Sequence, residues 1–202
     1  MPLDRRAMLA ALAATLVAPR RGLADPADWT ARLVSAAEAQ LGVTTIYDPA
    51  YVALSYPGGD VAPERGVCTD VVVRAYRAAF GLDLQKLVHE DMAAAFSAYP
   101  KSWGVRRPDR NIDHRRVPNL ETFFRRRGAA LPATTQASDY GPGDLVTQRL
   151  PGELPHIAIV TAKRSSDGAR PLLLHNIGSG ARIEDTLFAF RIVGRFRFPP
   201  SA

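Results

Sequence analysis

Between Trp29 and Leu41 the apolar residues Leu33, Ala36, Ala37 and Leu41 fall on one stripe, the spacing of one helical face. Gly42 supplies the stop. From 43 to 66 periodicity is lost and Pro and Gly punctuate the chain. This reads as a long irregular connection, of the kind that is usually functional or packed across a site. Helical spacing returns from Cys68 to Ala79, with Val71, Val72, Ala75 and Ala79 inward and Gly81 as the stop. The first half of that helix is β-branched, so burial rather than propensity must stabilise it. A third helix is predicted from Leu84 to Tyr99, closed by Pro100. Residues 101–116 are polar and loop-like. A short helix follows from Pro118 to Arg127, with Leu120, Phe123 and Phe124 inward and Gly128 as its cap.

After Gly141-Pro142-Gly143 the pattern changes. The runs DLVTQRL, HIAIVTAK, RPLLLHNIG, ARIED and FAFRIVGRFRF are short, apolar or alternating, and separated by turn residues. They predict four or five antiparallel strands. Helices first and strands second give an α+β domain, N-terminal helices packed on a C-terminal antiparallel sheet, spanning residues 25–202 as one unit.

The first 24 residues stand apart. Arg5 and Arg6 precede an apolar stretch from Ala7 to Ala18, and Gly22-Leu23-Ala24 offers small residues for a peptidase. This is the order of a secretory leader. The paired arginines point to the twin-arginine route, and to a periplasmic or extracellular location. No apolar run is long enough to span a membrane and remain in the mature protein. Four of the leader's residues are arginine and one is aspartate, so +3 of the chain's +6 belongs to it. The remaining domain is only mildly basic, which gives no footing to a nucleic-acid partner.

Export changes the meaning of the single cysteine, Cys68. An oxidising compartment favours disulfides, yet one cysteine cannot form an internal one. Cys68 is a buried inert thiol, an intermolecular link, or a nucleophile. Counting alone favours the buried thiol, and its place at a helix N-terminus, after Gly66, brings the nucleophile level with it. The dipole and the free N–H groups there lower a thiol pKa, and the same groups can hold an oxyanion.

A cysteine nucleophile needs a base and an orienting group. His156 opens HIAIVTA and His175 ends LLLHN. Adjacent antiparallel strands can present both rings on one face, although a strand-end histidine bonded to backbone is the commoner case. His89 reads as a surface or packing residue. His114 sits in the arginine-rich loop, where it either binds substrate or is solvated. The strongest zinc spacings are absent, so no metal is expected, and no cofactor demand is visible. No G-x-S-x-G elbow occurs. Gly178-Ser179-Gly180 reads as a hairpin turn. Eight arginines lie between 106 and 127. Bidentate arginines suit carboxylates, but a solvated basic face is the plainer reading for most of them.

Five segments in order resemble the NlpC/p60 superfamily of papain-like cysteine hydrolases: YPGGD from Tyr56, VCTDVVVRAY from Val67, GPGDLV from Gly141, PHIAIVT from Pro155 and LLLHN from Leu172. Within it the chain is similar to an exported branch, the domain-of-unknown-function family 1287, through YDPAYVALSYPGGDV, RGVCTDVVVRAYR, LQKLVHEDM, NIDHRRVPNL and LPHIAIV. The resemblance implies Cys68 as nucleophile, His156 as general base and His175 as orienting third residue. Asn176 takes the third place if the strand register slips by one. Tyr56 would lie beside the nucleophile, with Asp70, His114, Arg115 and Asn176 toward the substrate. The usual Asp-Cys-Ser-Gly is Val67-Cys68-Thr69-Asp70 here, and residues 84–127 form an insert. The implied activity is cleavage of a peptidoglycan amide bond, a D,L-endopeptidase of stem peptides first and a muramoyl-alanine amidase second. The implied partners are wall-derived peptides. The alternative is a wall-peptide-binding module on the same scaffold without catalysis.

Overall fold

A computed structural model describes residues 26–104 and 106–200. The proposed leader, residues 1–24, lies outside the described residues. Helix α1, Pro26–Glu38, buries Trp29, Leu33, Val34 and Ala37. It ends before the predicted stripe does, and the turns that follow leave Leu41 exposed.

Helix α2, Cys68–Phe80, packs against α1 and against the sheet. Val71, Val72, Val73, Ala75 and Tyr76 are buried along it. Burying a valine contributes roughly 1.5–3 kcal/mol, against at most about 0.7 kcal/mol of lost helix propensity. Burial wins, and the β-branched run is helical. Gly81, left-handed at φ 67°, closes α2 and donates its N–H to Arg77. Helix α3, Leu84–Ala94, starts where the Asp83 carboxylate caps Gln85 N–H. It is shorter than predicted, and residues 96–98 form a separate 3-10 turn. Helix α4, Val117–Arg126, carries Pro118 in its first turn. Its Phe123 and Phe124 meet Phe196 and Phe198 with ring centroids 5.3–5.7 Å apart.

The long connection carries a small parallel ladder of β1, Ile46–Tyr47, and β2, Arg65–Gly66. The main sheet contains β3 (Ala130–Leu131), β4 (Leu145–Leu150), β5 (Leu154–Arg164), β6 (Pro171–Asn176), β7 (Ala181–Glu184) and β8 (Arg191–Phe196). The order is β3-β8-β4-β5-β6-β7, antiparallel throughout. The chain is thus α+β, with N-terminal helices on a C-terminal antiparallel sheet. Besides the predicted runs the sheet gains β3, too short for an alternation signal.

Alternation along β5 divides the core. Ile157 and Ile159 pack with the helices, whereas Ala158 and Val160 join Val146, Leu173 and Leu187 in a second cluster. The β6–β7 turn docks the long connection. Ala181 N–H donates to Thr44 carbonyl at 2.7 Å. Gly180, at φ 84°, lies so close that a Cβ would stand 2.6 Å from that same oxygen, which only glycine permits.

Candidate active site

Cys68 is the first residue of α2 and is 4 % exposed. The turn before it is held from two sides. The Asp70 carboxylate accepts Val67 N–H at 2.7 Å, and Asn176 donates to Gly66 carbonyl at 2.9 Å. Asp70 is itself held by Arg115, whose Nε and Nη2 both reach it at 3.0 Å. Arg115 also donates to the carbonyls of Asp48 and Ala50 at 2.8 Å. Both partners are buried, and such a pair holds only when its remaining hydrogen bonds are satisfied. One guanidinium therefore ties the α2 N-terminus to the 48–50 loop. Asp70, Arg115 and Asn176 were expected to face substrate. Their polar atoms are engaged in building the turn that presents Cys68, and Arg115 also lines the cleft beside it, whereas Asp70 and Asn176 do not.

Cys68 opens into a cleft of about 140 Å³, walled by Tyr47, Pro49, Trp103, Arg116, Val117 and Pro155 among others. The tyrosine beside the cysteine is thus Tyr47, in place of the expected Tyr56. The pairing of Tyr47 with Gly66 brings it alongside. Burial raises its hydroxyl pKa, and the nearby Cys68 and Asp70 raise it further. Tyr56 packs edge-on against His89 at 5.3 Å, under Arg110. His114 is buried with Nδ1 unpartnered. Burial, then Arg115, lowers it to about 4, and it is not on the cleft wall.

His156 and His175 meet across β5 and β6. His156 Nε2 lies 2.7 Å from His175 Nδ1, and His175 Nε2 lies 3.0 Å from Glu184 Oε2. His175 faces Arg182 in the β6–β7 register. Glu184, two residues on, shares that face and reaches the ring diagonally. The second strand histidine, not Asn176, therefore contacts His156.

The chain of contacts fixes the tautomers. A carboxylate only accepts, so His175 donates through Nε2 and presents a lone pair at Nδ1. His156 then donates through Nε2, which leaves its Nδ1 as a free base. Burial, and next His175, hold His156 down at about 3. Burial also lowers His175, with Glu184 opposing. Both rings are neutral at neutral pH.

The thiol differs from its expectation. Burial, with the Asp70 charge adding to it, pushes Cys68 up to about 11. The amides of Ile157, Thr69 and Cys68 itself pull the other way and do not prevail. The helix terminus was expected to lower this pKa. Desolvation outweighs it because the sulfur is enclosed. The Ile157 contact puts the thiol on β5 one residue past His156. Among the described residues no hydrogen bond joins the sulfur to an imidazole, and no group of His, Cys, Asp or Glu side chains is arranged to hold a metal.

Tyr47 and Glu184 were missing from the sequence reading. Tyr47 lay in an aperiodic stretch. Glu184 was readable once LLLHN and ARIE are paired across Gly178-Ser179-Gly180, since His175 and Glu184 then share a face.

The profile of the family described as "Domain of unknown function (DUF1287)" matches residues 34–198, which contain every residue of this site. The chain belongs to the DUF1287 family. It is also 55% identical over 166 residues to the protein of Escherichia coli K12 that carries the name "Uncharacterized protein YijF", covering 82% of this chain and 80% of that one. In this DUF1287 member the family region begins within α1 and ends past β8.

Proposed function

We propose that the protein is an exported cysteine hydrolase of the papain-like NlpC/p60 class that cleaves a peptidoglycan amide bond, in stem peptides first and between sugar and alanine second. One observation carries this reading: the His156–His175–Glu184 chain, whose first member stands between Pro155, which lines the cleft that Cys68 opens into, and Ile157, whose amide reaches the thiol. Such a chain orients a base beside a nucleophile.

In this mechanism the pair rests as thiol and imidazole. As Sγ attacks the amide carbon, its proton passes to His156 Nδ1, the ring nitrogen left free. The Cys68 and Thr69 amides at the start of α2 receive the oxyanion. The C–N bond breaks as His156 returns the proton to the leaving amine. Water then attacks the thioester, His156 takes its proton, and the thiol leaves with it. Cys68→Ala is expected to abolish release of fragments from isolated wall sacculi, read by mass spectrometry, while the melting temperature stays within a few degrees. Full activity in that variant would end the proposal.

A second reading, a wall-peptide-binding module, is favoured by one observation: Cys68 is 4 % exposed, and that burial pushes its thiol up to about 11. Fragment release read beside alkylation against pH separates the two. Cys68-dependent fragments support the hydrolase, and alkylation need not begin below pH 8 because the resting pair is thiol and imidazole. Reaction only near pH 11, with no fragments, supports the binding module.

A further inference from the structure

Of the eight arginines between 106 and 127, four are paired with carboxylates: Arg115 with Asp70, Arg125 with Glu121, and Arg126 and Arg127 with Asp91. Among the described residues Arg106, Arg107, Arg110 and Arg116 have no such pair, and of these only Arg116 lines the cleft that Cys68 opens into. The Arg116 guanidinium stands 5.0 Å over the Trp103 ring, and among the described residues no carboxylate lies within ion-pair distance of it. A cation held on an aromatic face keeps its N–H edge open to an anion. Trp103 is itself 60 % exposed, with a left-handed φ of 59°. A bulky residue in that conformation is strained, and here the strain accompanies an indole on the rim of the cleft.

The surroundings agree in sign. Arg115 and Arg116 are on the cleft wall and no aspartate or glutamate is. Asp70 neutralises Arg115 from behind, so the uncompensated charge is that of Arg116. Two helices begin at this cleft, α2 at Cys68 and α4 at Val117, and each turns its positive end there.

We propose that Arg116, stacked on Trp103, is a specificity-determining residue that binds a free carboxylate of an acidic peptide beside the scissile amide. The hydrolytic fate of that peptide rests on the reading above. The anion site itself does not.

The single cysteine allows a test that separates the two. Iodoacetate and iodoacetamide alkylate the same thiolate, one reagent carrying a carboxylate and the other none. Their rate ratio at one pH cancels the thiolate fraction, and Cys68 is the only reactive thiol in the chain. The ratio is expected to fall on the order of tenfold in Arg116→Gln, the weight of one charge-assisted hydrogen bond. It should be largely retained in Arg116→Lys and should shrink in high salt. A ratio unchanged in Arg116→Gln overturns the proposal. Should neither reagent reach the sulfur, the comparison moves to Trp103 emission during titration with N-acetylglutamate and with its diamide. Tighter binding of the acid, lost in Arg116→Gln, supports the site, and equal binding overturns it. A confirmed anion preference with intact sacculi would leave the site standing and remove the hydrolase.

Discussion

Among the described residues, two histidine–carboxylate pairs have the same 3.0 Å contact and different surroundings. On the sheet, His175 Nε2 meets Glu184. In the insert, His89 Nδ1 meets Asp113, which also caps Asp109 N–H at 2.7 Å. The pair alone does not define a site; what the other ring nitrogen faces does. His175 passes its second nitrogen to another imidazole, which follows Pro155 on the cleft wall. His89 turns toward the edge of Tyr56, with no nucleophile beyond. In the proposed mechanism the sheet pair extends a proton path, whereas the insert pair braces a loop.

The strongest way to break that comparison is to make the same change in both places. His175→Gln is expected to lower fragment release on the order of 100-fold, the scale of a lost acid–base orientation. His89→Gln is expected to leave release within about twofold and to lower stability by about 1 kcal/mol, one net hydrogen bond. Parallel assays on sacculi with a denaturant melt check both. Equal losses of activity would mean that the insert pair also serves the chemistry.

The contrast also marks what the sequence reveals. Among the described residues, periodicity located the four α-helices and the long strands, because amphipathic faces dominate there. Cys68, His156 and His175 were legible since each sits at the end of a strongly patterned element. Tyr47 was not, because a two-residue parallel ladder carries no alternation to read. Arg115 lines the cleft, but its role in bracing the α2 turn was not legible. Its local sequence is a run of charge, and only the distant Asp70 and the carbonyls of the 48–50 loop reveal it as buried. The raised thiol pKa was equally hidden, since helix position is written in the sequence and enclosure is not.

Acid sharpens the comparison next. His114, the insert's second histidine, is held at about 4 against an ordinary 6.5 by burial first and Arg115 second. The unfolded chain therefore binds the extra proton between those values. The stability this neutral ring provides is complete above pH 6.5 and is lost as pH falls toward 4. Between pH 7 and 5 the loss is about 2 kcal/mol for one such group. His114→Leu should flatten that part of the stability profile, measured as melting temperature at the two pH values. His156 adds a similar slope, reaching lower because it is held at about 3. A His114→Leu profile as steep as that of the parent would assign the acid sensitivity to the sheet histidines instead.

Within the sheet chain, the smallest effect is expected at its outer end. Glu184 is not on the cleft wall, and 38 % of its side chain is exposed, so water competes with its contact to His175. Glu184→Gln keeps an acceptor for His175 Nε2–H, and the tautomers of both rings survive. What is lost is the negative charge that favours a proton on the histidine pair. Turnover should fall about tenfold, the order of one charged hydrogen bond, with KM unchanged because no cleft residue moves. The fall should be steepest at high pH, where the proton is hardest to hold. A drop as large as that of His175→Gln would mean that the carboxylate fixes the ring geometry as well as its charge. A rate equal to the parent's would mean that the functional chain stops at His175, and would make the sheet pair no more than the brace that His89 and Asp113 form in the insert.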